Sequence, residues 1–183
     1  GFKRVVGRGQ EDEGGKKTVG EIKKLGSDAI FVKANVIREV DMKNLIDKTV
    51  EKFGKLDIMV NNAGILVFGT VETLSEQDWD KQMDVNLKGV FFGTKYAVLQ
   101  MKKQKKGGRI INISSIAGIV GFPGISAYCA SKGGVTEFTR EVALDCAKYG
   151  ITVNAINPGV IVTDMTKDML NDTETKKMLA ENT

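Results

Sequence analysis

The sequence predicts an α/β fold, a doubly wound parallel sheet in three α/β/α layers. Two observations carry this. Short apolar runs of strand length alternate with stretches whose apolar residues recur at helical spacing, and no hairpin signal separates any two of the strands. A strand that cannot turn back on its neighbour must cross over through a helix, which makes the sheet parallel and places helices on both faces.

Taken in order, Phe2 to Val6 is a brief apolar segment, followed by the polar turn Gly7-Arg8-Gly9-Gln10-Glu11. A helix follows over about 12–25. Residues 28–36 read as a strand, and Glu39 to Phe53 as an amphipathic helix with Met42, Leu45, Ile46, Val50 and Phe53 on one side. Another strand, over 55–61, closes in Asn61-Asn62-Ala63-Gly64. Ser75 precedes Asp78 by three residues, a helix-capping pattern, and a long helix runs from there to Lys106. Asn86, a poor helix former, stands in its middle and would mark a kink if it were only structural. Arg109 to Ile113 is a short buried strand. The helix from about Ser126 to Tyr149 carries Ala127, Ala130, Gly134, Val135, Phe138, Val142 and Cys146 as a stripe expected to be buried, and sequence alone cannot separate core from interface there. Gly150 ends it, Ile151 to Asn157 is a further strand, and Asn157-Pro158-Gly159 turns the chain towards a charged, helical tail.

With 183 residues and 42% hydrophobic content the chain suits one domain, 1–183, with a real core. No apolar run approaches a membrane span and nothing resembles a signal peptide, so a cytoplasmic protein without a membrane partner is expected. Histidine is absent, which excludes imidazole as acid, base or metal ligand, and no metal is expected. Cys129 and Cys146 lie seventeen positions apart in one helix, unsuited to a disulfide, and read as small buried apolar residues. The net charge is +4, and the densest basic run is Lys102-Lys103-Gln104-Lys105-Lys106. Those lysines end a helix, where they complement its dipole, and Gly107-Gly108 stop it; no nucleic-acid partner is expected.

The chain is organised around residues 112–132, where a strand ending in Ser114 and Ser115 hands over to a helix bearing Tyr128 and Lys132. Residues four apart on a helix are neighbours, so a cation should face a phenol. A charge ~4 Å away at an effective dielectric of ~20 is worth roughly 4 kcal/mol, an upper figure that would lower a phenol pKa of ~10 by about three units. Tyr128 would then be a general acid or base. A surface tyrosine with an incidental lysine is the plainer reading. Against it, neither Tyr96 nor Tyr149 has such a lysine, and Ser115 sits thirteen residues before Tyr128 at a strand end, where open α/β sheets place ligands. Asn61-Asn62-Ala63-Gly64 lets a ligand approach backbone, although asparagine and glycine favour a plain turn as well.

Ser115, Tyr128 and Lys132 at this spacing, with Asn61-Asn62-Ala63-Gly64 and Asn86 upstream and Asn157-Pro158-Gly159 downstream, resemble the short-chain dehydrogenase/reductase family over nearly the whole chain. The resemblance implies a Rossmann-like fold and an NAD(P)-dependent oxidoreductase that interconverts a secondary alcohol and a ketone by hydride transfer. It implies that Tyr128 exchanges the proton and Ser115 holds the substrate oxygen. Lys132 lowers the tyrosine pKa and binds the nicotinamide ribose, and the backbone of Asn86 holds a water of the proton relay. Asn35 would contact adenine, Asn62, Ala63 and Gly64 the adenosine ribose, Pro158 and Gly159 the nicotinamide, and Thr163 its carboxamide. Asp164 to Thr183, with Met165, Met169 and Met178, matches a loop over the substrate, and the two helices spanning 80–106 and 126–149 match the interface of a homodimer or homotetramer. Ile65 to Thr70 is closer to the sugar and secondary-alcohol branches than to the acyl-carrier reductases.

The sequence also departs from the family. The glycine-rich turn that receives the pyrophosphate is not found: Gly9 lies 52 positions before Asn61, which fits the end of the family's second strand. The first strand-helix unit and the last strand are expected to be absent from this sequence. Arg8 stands where an acid would select NAD, which leans the choice between NADP and NAD towards NADP, with Glu11 and Asp12 close by. The competing expectations are a non-catalytic protein that keeps the scaffold for binding or oligomerisation, and an inactive fragment.

Overall fold

The computed structural model describes residues 4–8, 12–163 and 166. Strands and helices alternate as β1 (Arg4–Arg8), α1 (Asp12–Lys24), β2 (Ala29–Lys33), α2 (Glu39–Phe53), β3 (Ile58–Asn61), α3 (Glu76–Met83), α4 (Gly89–Gln104), β4 (Gly108–Ile113), α5 (Ser126–Cys146) and β5 (Ile151–Ile156). Every pairing between them is parallel: Arg4↔Ala29 to Arg8↔Lys33, Ile58↔Arg109 to Asn61↔Asn112, and Gly108↔Ile151 to Ile113↔Ile156. The expected α/β fold is therefore present. Among the described residues the strands form two ladders, β1-β2 and β3-β4-β5.

The helix expected at Glu39–Phe53 has those bounds, whereas the strands at 28–36 and 55–61 shrink to Ala29–Lys33 and Ile58–Asn61. Side chains explain the shortening. Asn35 N–H donates to Asp41 Oδ2 at 3.0 Å, starting a turn, and Lys55 pairs with Asp57 at 3.0 Å on the surface. The single helix expected to run to Lys106 is instead α3 and α4 joined by a π-helical turn, Asp84–Lys88, in which Gly89 N–H bonds the Asp84 carbonyl. Ser75 caps α3 as expected, accepting from Asp78 N–H at 3.0 Å.

Met42 and Ile46 of α2, Ala97 and Met101 of α4, and Met59, Ile110, Ile151 and Val153 of the sheet close into one core. Each large side chain there contributes roughly 1.5–3 kcal/mol through its burial. The opposite face of β3 and β5 carries Ile58, Val60 and Ile156, which are half-exposed. At its centre the covered face turns polar. Asn61 Nδ2 donates to Asn112 Oδ1 at 2.8 Å and to Thr94 Oγ1 at 3.1 Å, and Asn112 Nδ2 donates to Thr139 Oγ1 at 2.9 Å. This ladder joins α4, β3, β4 and α5. Gly93 permits it, because a Cβ there would stand 2.0 Å from Asn61 Oδ1.

The buried stripe expected along α5 needs correction. Ala127, Val135 and Cys146 are buried, but Ala130 is exposed and Phe138 only partly covered, its ring edge-on to Phe91 at 6.2 Å. Ser131, Lys132, Thr136 and Thr139 complete the buried side. An apolar count misplaced this face because its partner is the polar centre of the sheet.

Asn112→Leu keeps the branched shape but takes an acceptor from the Asn61 amide and a donor from the Thr139 hydroxyl. It should cost about 2–4 kcal/mol, read as a lower urea midpoint at unchanged slope, and an unchanged midpoint would show the ladder to be dispensable.

Candidate active site

Ser115 leaves the end of β4 in an extended conformation, φ −165° and ψ 158°, and its Oγ accepts the Ala117 N–H at 3.1 Å. The hydroxyl proton stays available to donate. Ser114, beside it, is buried and bonds the Lys132 carbonyl at 2.8 Å. The approach is close, since a Cβ on Gly118 would lie 2.7 Å from that same carbonyl. Strand end and helix are thereby fixed to each other.

The segment 65–70 acts as a strap across the site. At one end Asn86, fully buried in the π turn, accepts the Ile65 N–H at 2.8 Å and donates to the Ile65 carbonyl at 2.9 Å. One turn earlier, buried Gln82 accepts the Val67 N–H at 2.6 Å, while its buried Nε2 has no partner among the described residues. At the other end Gly69 N–H bonds the Gly124 carbonyl at 2.8 Å, and the Gly69 carbonyl accepts from Ser126 N–H at 3.3 Å and its Oγ at 3.1 Å. Since α5 has no side-chain cap of its own, the strap supplies one, two residues before Tyr128. Asn86 Nδ2 also donates to Ser131 Oγ at 3.1 Å, and Ser131 Oγ to the Tyr128 carbonyl at 2.9 Å.

Lys132 faces Tyr128 as the spacing suggested, but over its ring: the residue is 4% exposed, and its ammonium lies 5.6 Å from the ring centroid while donating to the Ile113 carbonyl at 2.8 Å. Burial brings the Lys132 pKa down to about 8. The expected lowering of the Tyr128 pKa is reversed. Burial raises it, the Ser115 hydroxyl pulls the other way, and Cys129 adds a small upward push. Desolvation of a half-buried phenol outweighs a cation already engaged elsewhere. Tyr128 is therefore protonated at neutral pH.

Gly64 joins the groups, since a Cβ there would lie 3.5 Å from Asn86 Oδ1 and 3.6 Å from Lys132 Nζ. Asn62 and Ala63 are exposed just beyond β3. The Pro158 carbonyl accepts the Ile116 N–H at 2.9 Å, which holds the exposed Gly159 turn beside Ser115. Thr163 is exposed and bonds Thr166 through its N–H at 3.0 Å. Arg8 closes β1 opposite Lys33, in the other ladder, and Asn35 follows the end of β2. Gly9, Glu11, Asp164, Met165, Met169, Met178 and the helical tail expected near them lie outside the described residues. Cys146 is buried as expected, whereas Cys129 is only partly so.

Sequence reading missed Gln82, Ser131, Ser114, Thr136 and Gly118. A signal existed for Gln82, four residues before Asn86 on the same helical face. The others are hydroxyls or a glycine of no distinctive spacing.

The family model for short chain dehydrogenases matches residues 1–174. An uncharacterized oxidoreductase of Thermotoga maritima is 50% identical over 148 residues, which is 81% of this chain and 58% of that protein. A 3-oxoacyl-[acyl-carrier-protein] reductase of Synechocystis is 44% identical over 169 residues, 92% of this chain and 68% of that protein. A gluconate 5-dehydrogenase from Burkholderia cenocepacia, whose crystal structure holds NADP and tartrate, superposes with a TM-score of 0.91 at 29% identity, over 98% of this chain and 69% of that one. The chain thus spans less than two thirds of the first relative's length.

The buried ammonium links stability to pH. A folded-state pKa near 8 lies below the unfolded lysine value, so the unfolded chain binds the extra proton between the two. The contribution is full above about 10.4 and is lost as pH falls through 8. Relative to Lys132→Met, the native protein should gain up to roughly 3 kcal/mol between pH 8 and 10, measured as the difference in unfolding free energy. Parallel curves for the two proteins would refute this.

Proposed function

This chain belongs to the short chain dehydrogenase family, and we propose on that footing that it interconverts a secondary alcohol and a ketone, using NADP or NAD. The observation that carries the reading is that the Lys132 ammonium lies over the Tyr128 ring, 5.6 Å from its centroid, and close to Gly64 and Asn86, while the Ser115 hydroxyl acts on the Tyr128 phenol.

Gly64 offers the close approach that a nucleotide needs, and Lys132 has two further N–H donors for its ribose. Asn62, Ala63, Pro158, Gly159 and Thr163 would line the rest, with Asn35 towards the adenine. When bound, the nicotinamide supplies hydride to the substrate carbon or takes it away. Arg8, where an acid would select NAD, supports NADP.

Tyr128, protonated at neutral pH, gives its proton to the carbonyl oxygen during reduction and takes it back during oxidation. Ser115 donates a hydrogen bond to the same oxygen and places it. Lys132 carries positive charge below about pH 8 and favours return of a proton to the site. Asn86 holds the strap, and its backbone would hold a water of the proton relay.

A homodimer or homotetramer is proposed through the outer faces of α4 and α5, where Phe91, Leu99 and Leu144 are exposed. The proposed setting is the cytoplasm, which keeps thiols such as Cys129 and Cys146 reduced.

Tyr128→Phe should lower turnover by about 10²–10⁴-fold with an unchanged unfolding midpoint. Near-normal turnover in that variant would end the proposal. Nucleotide binding without any turnover in the native protein would leave a scaffold acting in binding or assembly. The rate of ketone reduction should decline as pH rises through about 8, where Lys132 loses its charge. A profile flat to pH 9.5 would remove Lys132 from the proton path. For the assembly, Phe91→Arg should shift the elution volume towards the monomer, and an unchanged volume would place the interface elsewhere.

A further inference from the structure

We infer that the site takes an uncharged, largely hydrocarbon ketone or secondary alcohol and rejects substrates with a carboxylate or phosphate near the reacting carbon. The inference rests on the reading of the site given above. Residues 58–71, 110–131 and 151–163 include the segments that leave β3, β4 and β5 around Ser115 and Tyr128. They contain no Asp, Glu, Lys or Arg, in a chain that is 27% charged.

Apolar side chains stand there instead, out in solvent. Phe68 is 59% exposed, Ile119 65%, Val120 48% and Val162 77%. Phe68 is presented on fixed backbone, with Val67 N–H held by Gln82 at 2.6 Å on one side and Gly69 N–H by the Gly124 carbonyl at 2.8 Å on the other. Ile119 and Val120 belong to the turn that Ser115 caps, their N–H groups bonded to the Ile116 carbonyl at 2.8 and 3.0 Å. None of the four contributes to the core. Exposed apolar residues on rigid backbone beside a reactive site mark a surface that binds apolar matter.

An anionic substrate needs a cation or a set of donors to replace its water. The cation that directly follows residues 110–131 is Lys132, which is buried, committed to the Ile113 carbonyl and packed against Gly64 on the nucleotide side. A carboxylate among Phe68, Ile119 and Val120 would lose hydration without compensation.

The test compares 2-pentanone with acetoacetate, nearly isosteric ketones of which only the second is charged. Two readouts are taken on the purified protein: saturation-transfer NMR for binding, and NADPH- or NADH-dependent reduction for kcat/KM. Both should favour 2-pentanone, kcat/KM by at least about tenfold, even though the acetoacetate carbonyl is the more electrophilic. Phe68→Arg should narrow the ratio by raising the acetoacetate value. Equal or better use of acetoacetate by the native protein overturns the inference and leaves the oxidoreductase reading standing. Failure of 2-pentanone to bind gives the apolar surface to another contact and also overturns it. Selective binding of 2-pentanone without reduction supports the inference while removing the reading of the site as a reductase.

Discussion

The buried ammonium of Lys132, bonded to the Ile113 carbonyl at 2.8 Å, holds the end of β4 to the second turn of α5, and the geometry of the site depends on it. Taking a lysine out of water carries a penalty, visible in its lowered pKa, that one hydrogen bond only partly offsets. A leucine would fill such a position with less strain. In the proposed reaction a cation with a pKa of about 8 can pass protons on, and its bond to backbone keeps it beside Gly64 and Asn86 as well as over the Tyr128 ring.

The same contact explains the division of labour between the two titrating groups. Tyr128, half-buried and without a cation on its oxygen, is held in the protonated form. Lys132 is the group that titrates near neutrality. Acid and charge reservoir are separated by environment, although they lie on adjacent turns of one helix.

Around this pair the backbone is positioned by side chains more than by regular secondary structure. Among the described residues the strap 65–70 pairs with no strand of the sheet, and it is held by Asn86, Gln82 and the start of α5. The π turn puts Asn86 where a continuous α-helix would not, which is a frequent use of such turns. Beneath, the Asn61-Asn112-Thr139 ladder gives the sheet a polar centre in which each group is satisfied, so it rigidifies the floor.

The sequence by itself determined the α/β alternation, the parallel sense of the strands and the limits of α2, because those follow from periodicity and from local signals such as the Ser75 cap. It also singled out the candidate site residues, since Ser115, Tyr128 and Lys132 stand at a distinctive spacing across one strand-helix junction. Asn86 was legible as an anomaly inside a helix, though not as the anchor of a strap. Only the tertiary structure decided where the Lys132 ammonium points, which way the Tyr128 pKa moves, which side of α5 is buried and what Gln82 does. Each of these turns on a partner distant in the chain, Ile113 for Lys132, Asn112 for Thr139 and Val67 for Gln82, and on the desolvation that packing imposes. Helical spacing specifies neighbours on a surface; it does not specify which of them a buried charge will choose.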